Sequence, residues 1–115
     1  KVFLVNTGWA SGSYGIGSRM KLKYTRSMVR AAMNGQLDGV DYYIDPIFGL
    51  AIPKECPNVP NIVLNPPNTW YSIDEYYRKA NNLAESFKSN FKQFKDVPED
   101  ILDAEPEKMP EDYIV

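Results

Sequence analysis

The chain has 115 residues, 43% of them hydrophobic and 13% aromatic, so it is the size of one domain and can bury a core. This composition argues against wholesale disorder, and the absence of histidine excludes a Ser-His or Cys-His nucleophilic pair within the chain. The single cysteine, Cys56, cannot form an internal disulfide, and we expect a small buried side chain rather than a reactive thiol or a zinc ligand.

The formal net charge of −2 conceals opposite charges at the two ends of the chain. Residues 96–115 contain eight acidic side chains and one basic side chain, Lys108. Residues 1–37 contain no acidic residue and six basic ones, which are Lys1, Arg19, Lys21, Lys23, Arg26 and Arg30. The local sign of the charge therefore says more about binding partners than the overall value does.

The first apolar run, Val2–Val5 in "KVFLVNTG", predicts a short strand that is buried on both faces of a sheet. Because a domain seldom opens on such a strand, we expect the chain to be cut from a larger fold. It carries neither a membrane-spanning apolar run nor a signal peptide, and its cysteine usage fits a reducing compartment, so we expect a cytoplasmic location.

Residues 10–18, "ASGSYGIGS", predict a loop because three of them are glycines that tolerate unusual backbone conformations. Apolar and basic residues alternate over Met20–Lys23, which predicts an extended segment with both lysines pointing away from the core. Thr25 is the expected N-cap of a short helix that ends at Asn34-Gly35. The expected apolar face of this helix consists of Met28, Val29, Ala32 and Met33.

Two further strands are predicted at residues 39–44 and 47–53, on either side of Asp45-Pro46, and irregular turns are predicted over residues 57–70. A long last helix then begins at Ser72, which with Glu75 matches a capping box. Its expected packing stripe consists of Ile73, Tyr76, Tyr77, Ala80, Leu83, Ala84, Phe87, Phe91 and Phe94.

The acidic tail, residues 96–115, contains three prolines and is expected to be extended and weakly ordered. The alternative is that Ile101-Leu102 or the last three residues dock on a neighbouring surface. No internal repeat is present.

Gly12–Arg19, "GSYGIGSR", nearly fits the pattern of a phosphate-binding Walker loop, yet it lacks the lysine and the hydroxyl residue that this loop requires. Its glycine spacing also reverses the dinucleotide fingerprint. What remains is a glycine loop before a helix N-terminus with cations nearby, of which Arg19 and Arg26 are better ligand candidates than the lysines. On residue types alone, an anion site and a solvated basic face are equally acceptable interpretations.

Four stretches of the sequence favour one interpretation: "FLVNTGW", "GSYGIGSRMKLKYTR", "PIFGLAIPKECPNVP" and "LNPPNTW". In this order they closely resemble the C-terminal part of the ATP-dependent phosphoenolpyruvate carboxykinases, in register from about residue 2 to residue 95. Pro67 departs from the family, which usually has an arginine there. The acidic tail, residues 96–115, lies outside the resemblance.

The resemblance implies an α/β fold, with a mixed sheet, a short helix after the glycine loop and a long C-terminal helix. It makes residues 1–95 part of the family's C-terminal nucleotide-binding domain. Family members convert oxaloacetate and ATP to phosphoenolpyruvate, CO2 and ADP in gluconeogenesis, with magnesium and manganese. Residues matching Arg19, Met20 and Thr25 contact ATP there. For Thr25, a helix cap without a ligand role is the alternative.

The family's phosphate loop, metal ligands and oxaloacetate-binding arginine lie upstream of the matched region. We therefore expect no catalytic residue and no metal ligand in this chain, and no activity from the chain alone. The resemblance implies neither a nucleic-acid nor a membrane partner.

Two other hypotheses stay open at this stage. One is a basic-loop module for nucleic acid or another polyanion, with Phe3, Trp9 and Tyr14 flanking the charge. The other is self-association through exposed strand edges, which is compatible with the carboxykinase interpretation.

Overall fold

The computed structural model describes residues 1–12 and 15–114. Its helices and strands, in chain order, are β1 (Trp9–Ala10), β2 (Ser18–Arg19), α1 (Leu22–Met33), β3 (Tyr42–Ile44), β4 (Ala51–Pro53), α2 (Ile73–Phe91) and α3 (Glu99–Leu102). Short 3-10 helices occupy Asn61–Val63, Pro66–Thr69 and Glu111–Tyr113. The predicted α/β class is confirmed. Within the described residues, no helix combines the length and the apolar character that crossing a membrane requires.

The strands form two separate two-stranded sheets and not the mixed sheet that was predicted. β1 and β2 are antiparallel, with Trp9 opposite Arg19 and Ala10 opposite Ser18. β3 and β4 form an antiparallel hairpin, whose turn begins at Asp45. The Asp45 carboxylate accepts hydrogen bonds from the main-chain N–H groups of the two residues after Pro46, at 3.0 and 2.6 Å, so the interruption between the two predicted strands is confirmed.

The run Val2–Val5 is not a strand, so the first strand prediction is wrong. The side chains of Val2 and Leu4 are 90% and 79% exposed. Among residues 1–12 and 15–114, no strand pairs with this run. A strand is stabilised by hydrogen bonds to neighbouring strands, so an apolar run without a neighbouring strand does not become part of a sheet.

Helix α1 begins at Leu22, four residues before the predicted start. Its N-cap is Lys21, which has extended backbone angles and makes no side-chain capping hydrogen bond. The extended segment predicted over Met20–Lys23 is wrong at Leu22 and Lys23, which are helical, although both lysines are exposed as predicted. The predicted end is confirmed, because Asn34 is the C-cap and Gly35 has a φ of +75°, the left-handed conformation that suits glycine.

The chain folds into two compact units, and the first comprises residues 1–43 and 52–73. Its core is the buried cluster of Ala31, Leu37, Cys56 and Val59. The prediction of Cys56 as a buried side chain is confirmed. The predicted apolar face of α1 is only partly right, because Met33 is 81% exposed whereas Thr25 and Ala31 are the buried residues of the helix.

The second unit comprises residues 44–51 and the described residues from 74 onward. Ala80 and Ala84 of α2 form its core with Ile47, and Phe48, Tyr76, Tyr77 and Met109 pack around them. The predicted helix is confirmed, but it ends at Phe91, and Leu83 and Phe87 of its predicted stripe are each half exposed. In the tail, Glu99–Leu102 is helical and not extended as predicted. The expected docking is observed for Ile114, which is buried, whereas Ile101, Leu102 and Tyr113 are exposed and Val115 lies outside the described residues.

Candidate functional site

Asn6 holds the segment that leads into β1 with three hydrogen bonds. Its side-chain oxygen accepts from the main-chain N–H of Gly8 at 2.8 Å, and its side-chain nitrogen donates to the carbonyl of Trp9 at 3.2 Å. Its main-chain carbonyl accepts from the hydroxyl of Thr25 at 3.0 Å. An asparagine two residues before a glycine commonly bonds its own backbone in this way, so the turn has a local cause in the sequence.

Arg19 lies in β2 and is exposed, opposite Trp9 of β1. Its guanidinium presents five donors and no acceptor. In the described part of the first unit, the only ion pair joins Lys1 to Asp38. The positive charge of Arg19 and of the exposed Lys21 and Lys23 is therefore not neutralised by a carboxylate there.

Met20 follows β2 and is half-buried. Its main-chain N–H donates to the carbonyl of Gly8 at 2.7 Å. Because that N–H already has its partner, Met20 retains its carbonyl and its apolar side chain for contact with a ligand.

Thr25 is the fourth residue of α1 and is 7% exposed. The prediction that it caps the helix is wrong, because its side chain points to the distant carbonyl of Asn6 and not to the first amides of the helix. A hydroxyl has one proton to donate and two lone pairs that accept. Since Thr25 donates its proton to Asn6, it can serve a ligand only as an acceptor.

The glycine loop is tight at Gly17. A Cβ at this position would lie 2.4 Å from the carbonyl oxygen of Ala10 and 2.6 Å from that of Gly12, closer than real Cβ atoms come to such atoms. Ser13 and Tyr14, in the middle of the predicted anion loop, lie outside the described residues. The prediction that loop amides embrace an anion therefore stays a prediction.

The three predicted site residues are brought together through one segment, Asn6–Trp9. Thr25 bonds Asn6, Met20 bonds Gly8, and Arg19 pairs with Trp9. Sequence reasoning missed Asn6, although the Asn-x-Gly spacing was a signal for its turn. The other preferred cation, Arg26, is exposed in α1 and is not joined to these three residues by any hydrogen bond of the described chain.

A concave surface of the same unit contains none of these residues. It is a shallow groove lined by Tyr43, Lys54, Asn61, Asn68, Trp70 and Tyr71, among others. The Lys54 amine lies 6.0 Å from the centre of the Tyr43 ring, and burial raises the pKa of the Tyr43 hydroxyl. In the described stretches of the chain, no three Cys, Asp or Glu side chains come together as metal ligands could.

Residues 1–62 match the model of the protein family described as phosphoenolpyruvate carboxykinase. All three predicted site residues lie within that range. A curated relative from Alkaliphilus oremlandii, named phosphoenolpyruvate carboxykinase (ATP), is 64% identical over 106 residues, which are 92% of this chain and 20% of the relative.

Two other relatives with this name are similar over nearly the same region. The protein from Caldanaerobacter subterraneus is 55% identical over 92% of this chain, and the one from Flavobacterium johnsoniae is 57% identical over 84% of it. These matches cover 20% and 18% of the two relatives. The chain thus spans about a fifth of the length of the curated relatives that it matches.

Proposed function

The chain belongs to the phosphoenolpyruvate carboxykinase (ATP) family, and on that premise we propose that it is a segment of an enzyme that converts oxaloacetate and ATP to phosphoenolpyruvate, CO2 and ADP. The enzyme acts in gluconeogenesis in the cytoplasm. Its magnesium and manganese are held by residues outside this chain, which has no histidine and, in its described part, no cluster of three acidic or thiol ligands.

In this proposal, residues 1–95 belong to the C-terminal nucleotide-binding domain, and residues 96–115 are a separate acidic tail. Arg19, Met20 and Thr25 form one wall of the ATP site. The observation that carries the proposal is their common attachment to Asn6–Trp9, beside positive charge that no described carboxylate neutralises. Phosphoryl transfer also requires a phosphate loop and metal ions, so the segment alone is inactive.

We assign each residue to a part of the nucleotide in this proposal by its hydrogen-bonding capacity. Phosphate oxygens are acceptors, so they match the guanidinium of Arg19, which only donates. The Thr25 hydroxyl, whose proton is used at Asn6, matches a donor of the nucleotide, which is the amino group of adenine or a ribose hydroxyl. Met20 offers apolar contact and a carbonyl acceptor.

The test uses the intact enzyme and measures the equilibrium dissociation constant for ATP. Arg19→Ala should weaken ATP binding roughly 10- to 100-fold, because a charge-assisted hydrogen bond contributes about 1.5–3 kcal/mol. Thr25→Val should weaken ATP binding, and Thr25→Ser should retain most of it. Arg78→Ala is the matched control, since Arg78 is an exposed arginine of α2. Unchanged ATP affinity in Arg19→Ala and Thr25→Val would refute the site.

A second measurement addresses the segment itself. The isolated 115-residue chain should not form phosphoenolpyruvate from oxaloacetate and ATP in the presence of both metals. Turnover by the isolated chain would show that the proposed division of the enzyme is wrong. The nucleic-acid alternative predicts RNA binding that competes with ATP and weakens steeply with salt, and the named relatives favour the carboxykinase.

A further inference from the structure

We propose that Asn6 is a positioning residue for the nucleotide: it fixes Arg19, Met20 and Thr25 relative to one another without touching ATP itself. The inference rests on the proposed function, because it concerns the same wall of the ATP site. It adds a residue that neither the sequence motifs nor the resemblance assigned.

The first ground is that every link from Asn6 leads to one of the three site residues. The link to Thr25 is direct, through the hydroxyl at 3.0 Å. The link to Met20 runs through Gly8, whose N–H bonds the Asn6 side chain and whose carbonyl accepts from Met20 at 2.7 Å. The link to Arg19 runs through Trp9, whose carbonyl bonds the Asn6 side chain and which stands opposite Arg19 in the sheet.

The second ground is that the polar atoms of the Asn6 side chain are engaged within the segment. The oxygen accepts from Gly8 and the nitrogen donates to Trp9. The side chain is exposed and belongs to neither buried cluster, so its contribution is to the geometry of the segment and not to core packing. A two-stranded ribbon with only two residues in each strand needs such local bonds to hold its register.

A carboxamide performs both side-chain tasks at once, because its acceptor and its donor are two separate atoms on one short stem. Asn6→Ala removes both bonds but leaves the main-chain carbonyl that Thr25 uses. Asn6→Ser keeps an acceptor that can reach the N–H of Gly8, as serine does in local turns. The expected order of ATP affinity is therefore wild type, then Asn6→Ser, then Asn6→Ala.

The experiment measures ATP affinity, oxaloacetate KM, kcat at saturating ATP and melting temperature in the intact enzyme. Asn6→Ala should weaken ATP binding on the order of tenfold, since each lost bond contributes a modest amount. The oxaloacetate KM, kcat at saturating ATP and melting temperature should stay close to wild type. Asn82→Ala is the matched control, an exposed asparagine of α2 that should change none of these quantities.

A double-mutant cycle separates positioning from a general structural effect. If Asn6 acts partly through Arg19, the effect of Asn6→Ala on ATP affinity should shrink when Arg19 is already alanine. Equal losses in ATP and oxaloacetate binding, together with a lowered melting temperature, would overturn the inference, because they describe a merely structural residue.

The remaining outcomes distinguish this inference from the proposed function. If Arg19→Ala weakens ATP binding and Asn6→Ala does not, the positioning role is wrong and the ATP site stands. If neither variant changes ATP affinity, the ATP site itself is wrong and the positioning role falls with it. Should Asn6→Ala fail to fold, Asn6→Ser decides the question, since a wild-type ATP affinity in that variant contradicts the expected order.

Discussion

The side chain of Asn81 binds the main chain of Met109 at both of its hydrogen-bonding groups. The Met109 N–H donates to the Asn81 oxygen at 2.8 Å, and the Asn81 nitrogen donates to the Met109 carbonyl at 2.9 Å. Asn81 is 2% exposed and Met109 is half-buried, so both hydrogen bonds are partly shielded from solvent. The N–H of Glu107 also donates to the carbonyl of Ile47 at 2.8 Å. The backbone of the tail is thus held at Glu107 and Met109, in addition to the packing of the Met109 side chain on the core of the unit.

Replacing Asn81 by leucine should release the tail. The substitution keeps a similar side-chain volume but leaves both main-chain groups of Met109 without partners, at a cost of about 1–3 kcal/mol. Hydrogen exchange of residues 105–114 in the intact enzyme should become faster, while exchange in the middle of α2 stays slow. Asn82→Leu is the control, because Asn82 is exposed on the same helix. Unchanged exchange in Asn81→Leu would mean that apolar contacts alone hold the tail.

The tail shows where composition is a poor guide. Eight acidic residues and three prolines predict an extended, weakly ordered segment. Composition contains no information about the surface that such a segment can bind. The tail binds Asn81, a buried asparagine of α2. By residue type alone, an asparagine in a helix is expected at the surface. Ile114 packs at the other end of the segment. Predictions were confirmed where neighbouring residues in the sequence determine the structure, as at the Asn34-Gly35 helix end and the Asp45-Pro46 turn.

The start of α1 shows the complementary failure. Thr25 is a good N-cap by residue type, and Lys21 is a poor one, yet the helix begins after Lys21. The competing interaction is the bond from Thr25 to Asn6, nineteen residues earlier in the chain. A preference worth about 1 kcal/mol is readily overridden by such a tertiary contact. The site residues themselves were predicted from a resemblance, and what joins them was visible only in three dimensions.

Gly17→Ala should destabilise the β1–β2 region. The added Cβ would meet the carbonyl oxygens of Ala10 and Gly12, which are backbone atoms and cannot turn aside as a flexible side chain does. We expect a loss of about 1–3 kcal/mol in the free energy of unfolding, measured by urea denaturation, and weaker ATP binding. Gly39→Ala is the control, because nothing lies within 4 Å of its added Cβ. Equal stability of the two variants would contradict the tight approach at Gly17.

We expect Tyr76 to lower the stability of the folded protein at alkaline pH. Burial, and then the nearby Asp45 and Tyr77, raise the pKa of its hydroxyl from the ordinary 10.0 to about 12. Between these values the unfolded chain releases the proton while the folded chain retains it, so stability falls as the pH rises through this window. Well below pH 10 neither state is ionised at Tyr76, and the group contributes no pH dependence there.

The check compares the free energy of unfolding of wild type and Tyr76→Phe between about pH 9 and 12, where the variant should lose less stability than wild type. Tyr113→Phe is the matched control, since Tyr113 is 74% exposed, and it should follow wild type. Parallel curves for wild type and Tyr76→Phe would show that the folded protein does not perturb this hydroxyl.

Cys56 should label slowly in the folded protein and quickly once the first unit unfolds. The residue is 6% exposed beside Val59, and burial raises the pKa of its thiol, so the reactive thiolate is both scarce and inaccessible. The rate of alkylation, followed by mass spectrometry, should rise across the same range of urea concentration in which the first unit unfolds. Because Cys56 is the single cysteine, no second thiol of the chain obscures the result. Rapid labelling without denaturant, at the rate of a free thiol in a peptide, would mean that the cluster of Ala31, Leu37, Cys56 and Val59 opens far more readily than a packed core does.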